Sequence, residues 1–401
     1  MKRTYDYQYD VNNGETPAKK KSSSLGDFLK HDFFQQGKMD MTFLGLVLLL
    51  LVVGLICLFS SSYAYALQNY GNSYHFIKKQ FVFAVLGVVV MLIASKINYH
   101  IYRKFAWFIY FASVAMLAIV LMLPPLQEGF DYKRWLVIGS FSFQPSEIAK
   151  FAIILLFSHL ICDNMKHMKR FRFGILVFGL LLALVCALVV VETHLSATLL
   201  IFSIGASLMV VGGIKLRYVF GGLGAGVALG AGAILTGVVD YGSSRIQSWI
   251  NPWSDPSGAG WQTIQSLLAI GSGGIFGAGL GGSKQKYLWV PEPHNDFIFA
   301  IVCEELGFIG AMAIIVLFGL LVWRGFTLAT RAKDKFGSLM TFGLTIQVGI
   351  QAALNIMVVT NTIPNTGISL PFFSYGGTAL IMLMAQMGII LSISRDSKMS
   401  K

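Results

Sequence analysis

Met41-Thr42-Phe43-Leu44-Gly45-Leu46-Val47-Leu48-Leu49-Leu50-Leu51-Val52-Val53-Gly54-Leu55-Ile56-Cys57-Leu58-Phe59-Ser60-Ser61-Ser62-Tyr63 carries no charged side chain. A helix rises about 1.5 Å per residue and satisfies its own backbone, so about 20 apolar residues cross a hydrocarbon core about 30 Å thick. The stretch is therefore predicted to span a bilayer. Nine further apolar blocks follow, near Phe81–Ile97, Phe105–Leu123, Ile148–Cys162, Gly174–Val191, Ala197–Val211, Val219–Val239, Phe297–Trp323, Thr341–Val359 and Pro371–Ile393. The expected fold is all-α, a polytopic membrane protein of ten transmembrane helices.

The composition agrees. Of 401 residues, 55% are hydrophobic and 12% charged, about half the charged fraction of a soluble domain. Residues 1–40 are polar and basic, with Lys19-Lys20-Lys21-Ser22-Ser23-Ser24, and are expected to be a disordered cytoplasmic tail. They contain no apolar h-region, so the first span should act as an uncleaved anchor. The membrane domain is expected over 41–394 and a short cytoplasmic tail over 395–401, with one long extracytoplasmic loop at 240–295. A net charge of +12 raises the question of nucleic acid, but its distribution argues otherwise. With the N-terminus inside, the inner segments hold 23 of the 31 Lys and Arg. The positive-inside rule then puts both termini in the cytoplasm. The charge is topological, supplemented by attraction to anionic membrane lipid, and nucleic acid is not an expected partner. Cys57, Cys162, Cys186 and Cys303 are scattered singly in apolar stretches, without metal-site or disulfide spacing.

Four outer segments hold polar groups that lipid would not tolerate cheaply. The first is Lys133-Arg134-Trp135, followed by Gln144-Pro145-Ser146-Glu147 and Lys150. Glu147 and Lys150, spaced i,i+3, can pair at the start of the fourth span, either as a structural ion pair or as part of a site. The second runs from Arg245 through Asn251-Pro252-Trp253-Ser254-Asp255-Pro256 and Gln265-Ser266 to the glycines of 271–277. Those glycines suit either close approach to a ligand or ordinary turns. The third contains Ser283, Gln285-Lys286 and Pro291-Glu292-Pro293-His294-Asn295-Asp296. Asp296 precedes the eighth span, where desolvation would raise its pKa towards that of a general base, although an aspartate there is also a common helix cap. Glu304 and Glu305 lie deeper in that span, as structural or mechanistic groups. The fourth is Asn361 to Gly367 with Leu370-Pro371 and Ser374-Tyr375-Gly376-Gly377, where irregular backbone implies a surrounding cavity or protein. Gln347, Gln351 and Asn355 recur on one helix face and are read as interhelical hydrogen-bonders.

In this order, Arg134-Trp135, Gln144 to Glu147, Pro252-Trp253, Asp255-Pro256, Gln265-Ser266, Pro291-Glu292 with His294, Asp296 to Phe299, Pro364 to Gly367 and Ser374 to Gly377 resemble the SEDS family (shape, elongation, division, sporulation). Ser283 with Gln285-Lys286 brings the chain closer to the family's FtsW and SpoVE branch than to RodA. Asn295 departs from a common Thr. Glu192-Thr193-His194-Leu195-Ser196 stands where Pro-Asp-x-Gly is more usual, so His194 occupies the place of an Asp and the role of that turn is open.

The resemblance implies a peptidoglycan glycosyltransferase that joins lipid II into glycan strands on the outer face of the bacterial cytoplasmic membrane, in cell division at the septum or in spore cortex synthesis. Undecaprenyl pyrophosphate would leave. It implies Asp296 as the catalytic base. Arg245, Lys133 and Arg134 are candidates for pyrophosphate binding, and Trp135, Glu147, Lys150 and Ser374 for shaping the substrate site. A divalent cation, Mg2+ or Mn2+, is compatible with the leaving group's charge, although no dedicated cage is visible. Implied partners are a class B penicillin-binding protein and other divisome proteins. A lipid II flippase and a non-catalytic division scaffold are the alternative readings. Midplane charges expected of a flippase are few.

Overall fold

Asp40 begins the first helix by accepting a hydrogen bond from the Phe43 amide at 2.7 Å through its carboxylate, and Gly71, at φ +64°, ends it in the left-handed conformation. That helix, α1, spans Met41–Tyr70, and its apolar run is long enough to cross a membrane. The computed structural model describes residues 34–35, 37–123, 134–138, 141–218, 221–222, 224 and 240–397. Lys133, most of the tail and nearly all of the predicted span Val219–Val239 lie outside the described residues.

The other principal helices are α2 (His75–Ala94), α3 (Ala106–Met122), α4 (Pro145–Asn164), α5 (Phe178–Val191), α6 (Leu195–Val211), α7 (Asp240–Ile250), α8 (Trp261–Gly273), α9 (Ile298–Arg331), α10 (Lys335–Val359) and α11 (Gly377–Arg395). Among the described residues, seven helices are long and apolar enough to cross a membrane, and two shorter apolar helices, α3 and α6, accompany them. The chain is a multi-pass membrane protein. Nine of the ten predicted spans coincide with these helices.

Several helices run past the predicted ends because polar residues continue them beyond the hydrocarbon. The last span differs in the other direction. α11 begins only at Gly377, because the backbone before it is irregular and Phe372 adopts φ +68°. The predicted long outer loop at 240–295 is not plain loop: it contains α7 and α8. One element was not expected at all, an antiparallel hairpin of β1 (Leu136–Ile138) and β2 (Phe141–Phe143), with Leu136 opposite Phe143.

α4 sits centrally, packed by α3, α6 and α10, while α9 contacts α1, α8 and α10, and α2 lies along α11. Two ends of the bundle are distinct. At one, Arg324 near the end of α9 donates to Asp40, Asp40 in turn accepts no less than a bidentate grip, and Arg395 donates to the Gly37 carbonyl at 2.7 Å. Asp334, which caps α10, accepts from Tyr99 at the same end. The opposite end gathers the start of α9, the end of α10, the turn between α5 and α6, and the 361–376 segment.

Candidate active site

The segment from Glu292 to Phe297 reaches the bundle along an aromatic wall. The buried His294 ring lies 5.0 Å from Tyr65, 4.1 Å from Phe76 and 6.0 Å from Tyr375, centroid to centroid. Its carbonyl accepts from the Tyr375 amide at 2.9 Å. Burial pushes the imidazole down to about 4, so it packs as a neutral ring.

Asp296 follows. Its backbone carbonyl accepts from Asn355 Nδ2 at 2.8 Å, and the same amide group donates to the Ile368 carbonyl at 2.6 Å. Asn355 thus ties the start of α9 to the 361–376 segment, a more specific job than interhelical bonding. The helix-cap reading of Asp296 does not hold: Phe297 occupies the cap position, without a side-chain cap bond. Among the described residues, no hydrogen bond reaches the Asp296 carboxylate. Burial raises its pKa to about 6, with Glu292 adding to the rise and Arg134 and Arg245 opposing it.

Gly367 explains how the backbone comes so near. It adopts φ +69°, and a Cβ added there would sit 3.1 Å from Asp296 Oδ2. Around it the 361–367 segment is held on three sides. Arg245 Nη1 donates to the Asn365 carbonyl at 2.7 Å, and Trp249 Nε1 donates to the Asn361 carbonyl at 3.0 Å, both from α7. Asn365 Nδ2 donates to Gln262 Oε1 of α8 at 2.7 Å, and the Ser196 hydroxyl of α6 donates to the Thr366 carbonyl.

Arg134 donates to the Thr193 carbonyl at 2.6 Å, clamping the turn between α5 and α6. Thr193 itself holds φ +57°, unfavourable for a β-branched residue and common where local strain serves a site. His194, next in the turn, faces Arg134, Lys150 and Arg245. Burial first, and then these charges, push it down to about 3, so it is uncharged.

The fourth-span residues form an adjoining polar group. Lys150 Nζ bonds both Glu147 oxygens at 2.8 and 2.7 Å and Gln351 Oε1 at 3.2 Å. Gln351 Nε2 passes the network to the Ser369 carbonyl at 3.1 Å. Glu147, Gln351, Ser369 and Ser374 line one small cavity of about 40 Å³. The Ser374 hydroxyl is engaged with backbone, accepting from Leu370 N at 2.7 Å and donating to the Asn295 carbonyl at 2.8 Å, so it orients the Asp296 segment. Trp135 stands exposed immediately before β1.

The structure therefore brings Asp296, Arg134 and Arg245 into one electrostatic neighbourhood, with Lys150, Glu147 and Ser374 alongside. It removes Glu304 and Glu305 from the chemistry. Glu304 accepts from the Ser283 hydroxyl and from the Lys284 amide at 2.9 Å, while Glu305 pairs with Lys286 at 2.9 Å and accepts from Ser60 at 2.7 Å. One group escaped the sequence reading of the site. Glu192 is 1% exposed, and neither carboxylate oxygen has a hydrogen-bond partner among the described residues.

A profile of the cell cycle proteins FtsW, RodA and SpoVE matches residues 40–399. Stage V sporulation protein E of Bacillus subtilis (strain 168) is 38% identical over 365 residues, covering 90% of this chain and 98% of that protein. A probable peptidoglycan glycosyltransferase FtsW of Geobacter sp. (strain M18) is 35% identical, covering 88% and 96%. A solved peptidoglycan synthase complex that coordinates polymerization and crosslinking contains a chain that superposes with a TM-score of 0.74 at 28% identity, covering 90% of this chain and 98% of that one. The crystal structure of the rod shape determining protein RodA of Thermus thermophilus gives a TM-score of 0.66 at 25% identity, covering 90% and 98%.

Proposed function

The chain belongs to the family of the cell cycle proteins FtsW, RodA and SpoVE, and from that premise we propose that it is a peptidoglycan glycosyltransferase that polymerises lipid II at the outer face of the cytoplasmic membrane. The observation that carries this reading is the Asp296 carboxylate, held at the start of α9 with no hydrogen bond reaching it among the described residues, opposite Arg134 and Arg245. Glycosyl transfer needs both halves of that arrangement.

The acceptor sugar's 4-hydroxyl attacks the anomeric carbon of the donor strand. A new C–O bond forms while the bond from that carbon to the diphosphate oxygen breaks. Asp296 takes the hydroxyl proton. Undecaprenyl pyrophosphate leaves with the electron pair, and Arg134 and Arg245, with planar forks suited to phosphate oxygens, offset the charge that develops. Lys150, bonded to Glu147 and Gln351 of the cavity lining, adds positive potential from behind them.

The donor set does not fit a resident divalent cation. Glu147 is committed to Lys150, cations surround Asp296, and no three His, Cys, Asp or Glu converge among the described residues. A divalent ion would arrive with the diphosphate and be held mainly by its oxygens. Chelation should then weaken donor use without changing the thermal stability of the free protein.

In this reading both termini lie in the cytoplasm, supported by the bias of Lys and Arg, and septal enrichment follows from a division role. The crosslinking partner is a class B penicillin-binding protein that receives the new strand.

The test is purified protein with fluorescent lipid II. Wild type should produce glycan polymer and folded Asp296→Asn none. Polymer from the variant at the wild-type rate would remove the proposed base, and transbilayer lipid exchange without polymer from wild type would replace the reading with a flippase.

A further inference from the structure

Glu192 is a buried acid that the mechanism above does not use. It caps the end of α5 at the turn whose next carbonyl, that of Thr193, receives Arg134. Only 1% of it is exposed, and both oxygens lack a hydrogen-bond partner among the described residues. An ionised carboxylate so placed would be costly, because burial removes its water and nothing replaces it. Burial accordingly pushes Glu192 up to about 8, although Arg134 pulls the other way.

The groups around it decide what an ionised Glu192 would do. Arg134, from the segment leading into β1, is the charge that faces it. His194 in its own turn is uncharged. Lys150 from α4 and Arg245 from α7 face His194, Glu147 neutralises Lys150, and Asp296 from the start of α9 shares the field of Arg134 and Arg245. A carboxylate at 192 would thus draw on Arg134, the same cation that the diphosphate needs.

We propose that Glu192, buried as the neutral acid beside the turn that receives Arg134, is a positioning residue that acts through that arginine, leaving its charge to the donor's diphosphate. When it ionises it competes for Arg134, and donor binding weakens. The proposal rests on the diphosphate reading of the site, but it does not need turnover to be tested.

The experiment measures binding of fluorescent undecaprenyl pyrophosphate to the full chain in detergent between pH 7 and pH 9. The terminal phosphate of that probe, with a second pKa of about 6, gains only a little more negative charge over that window, and the gain would tighten binding to the arginines, not weaken it. In wild type the dissociation constant should rise about tenfold, as expected when one ionised carboxylate becomes a local rival. In Glu192→Gln, which keeps the size and neutrality of the acid, the change should stay under about twofold. Arg134→Ala should bind weakly and with an equally flat pH dependence, a second reading should the Gln variant fail to fold. The same tenfold rise in Glu192→Gln, or in Arg134→Ala, would overturn the proposal. Loss of polymerase activity in wild type, with the pH-dependent binding intact, would instead count against the glycosyltransferase reading alone.

Discussion

Asp296 has to be ionised to accept a proton, and its surroundings oppose ionisation. With its pKa raised to about 6, it is mostly protonated at pH 5 and mostly ionised by pH 7. Polymerisation should therefore climb through an acid limb centred near pH 6, about two units above an ordinary aspartate. A limb centred near 4 would show that the carboxylate is solvated during turnover. The same shift has a cost in stability. A folded-state pKa raised above the unfolded value gives stability that is complete at low pH and is lost as pH rises through about 6. Folded Asp296→Asn should thus melt at a higher temperature than wild type at pH 7.5, with the gap closing towards pH 4, as thermal scans at the two pH values would reveal. Gly367 belongs to the same scale. Alanine there must adopt φ +69°, at about 1–2 kcal/mol, and brings a methyl to 3.1 Å from the carboxylate that does the work. Gly367→Ala should lower kcat about tenfold or more through misplacement of the base, with helical circular dichroism unchanged. An unaltered kcat would mean that the loop yields without moving Asp296.

α9 shows at the scale of an element how the outer segment is fixed. Its helix is broken at Gly307, φ +66°, where the 274–279 backbone runs alongside. Ala278 N donates to the Glu304 carbonyl at 2.9 Å, Gly279 N to the Glu305 carbonyl at 3.0 Å, and Phe308 N back to the Gly274 carbonyl at 2.9 Å. The groups freed by the break are thereby satisfied, as they must be within an apolar surrounding. Gly273 and Gly277 serve this approach to α9, since a Cβ there would sit 2.1 Å from the Cys303 carbonyl oxygen and 2.2 Å from that of Glu305. The buried Lys286–Glu305 pair, 3% exposed on both sides, closes the seam. Lys286→Met would strand a buried carboxylate and should cost about 3–5 kcal/mol, read as a large drop in melting temperature. Lys286→Met with Glu305→Met should recover most of it. A double variant no better than the single one would mean that the pair is not what holds the seam. Much of α9 was legible in the sequence, because only Glu304-Glu305 interrupts its apolar run and none of the residues from Leu306 to Trp323 is charged. The break was not, since Leu306-Gly307-Phe308 looks like any stretch of that run and its partner backbone is distant in sequence. The hairpin escaped for another reason: three-residue strands are too short to show alternation. Asp296 could be picked out by its neighbours in sequence. Glu192 could not, because what makes it unusual is the absence of partners, and only folding reveals that.

For the whole molecule, the chemistry requires that the Asp296 end of the bundle face outward, where both lipid-linked substrates are used. The structure separates the two ends sharply. Asp296, Arg134 and Arg245 cluster at one, and the Asp40–Arg324 and Arg395–Gly37 contacts lie at the other. The bias of Lys and Arg towards that second end is the only driving force in the sequence that tells the two apart across a bilayer. It can be checked with single cysteines in a background where Cys162 and Cys186 are replaced by serine, Cys57 and Cys303 being buried. Ser254→Cys, exposed after α7, should react in intact cells with a membrane-impermeant maleimide. Lys169→Cys, exposed between α4 and α5, should react only after permeabilisation. The reverse pattern would turn the carboxylate towards the cytoplasm, and no rearrangement within a rigidly packed bundle could then bring it to an external sugar hydroxyl.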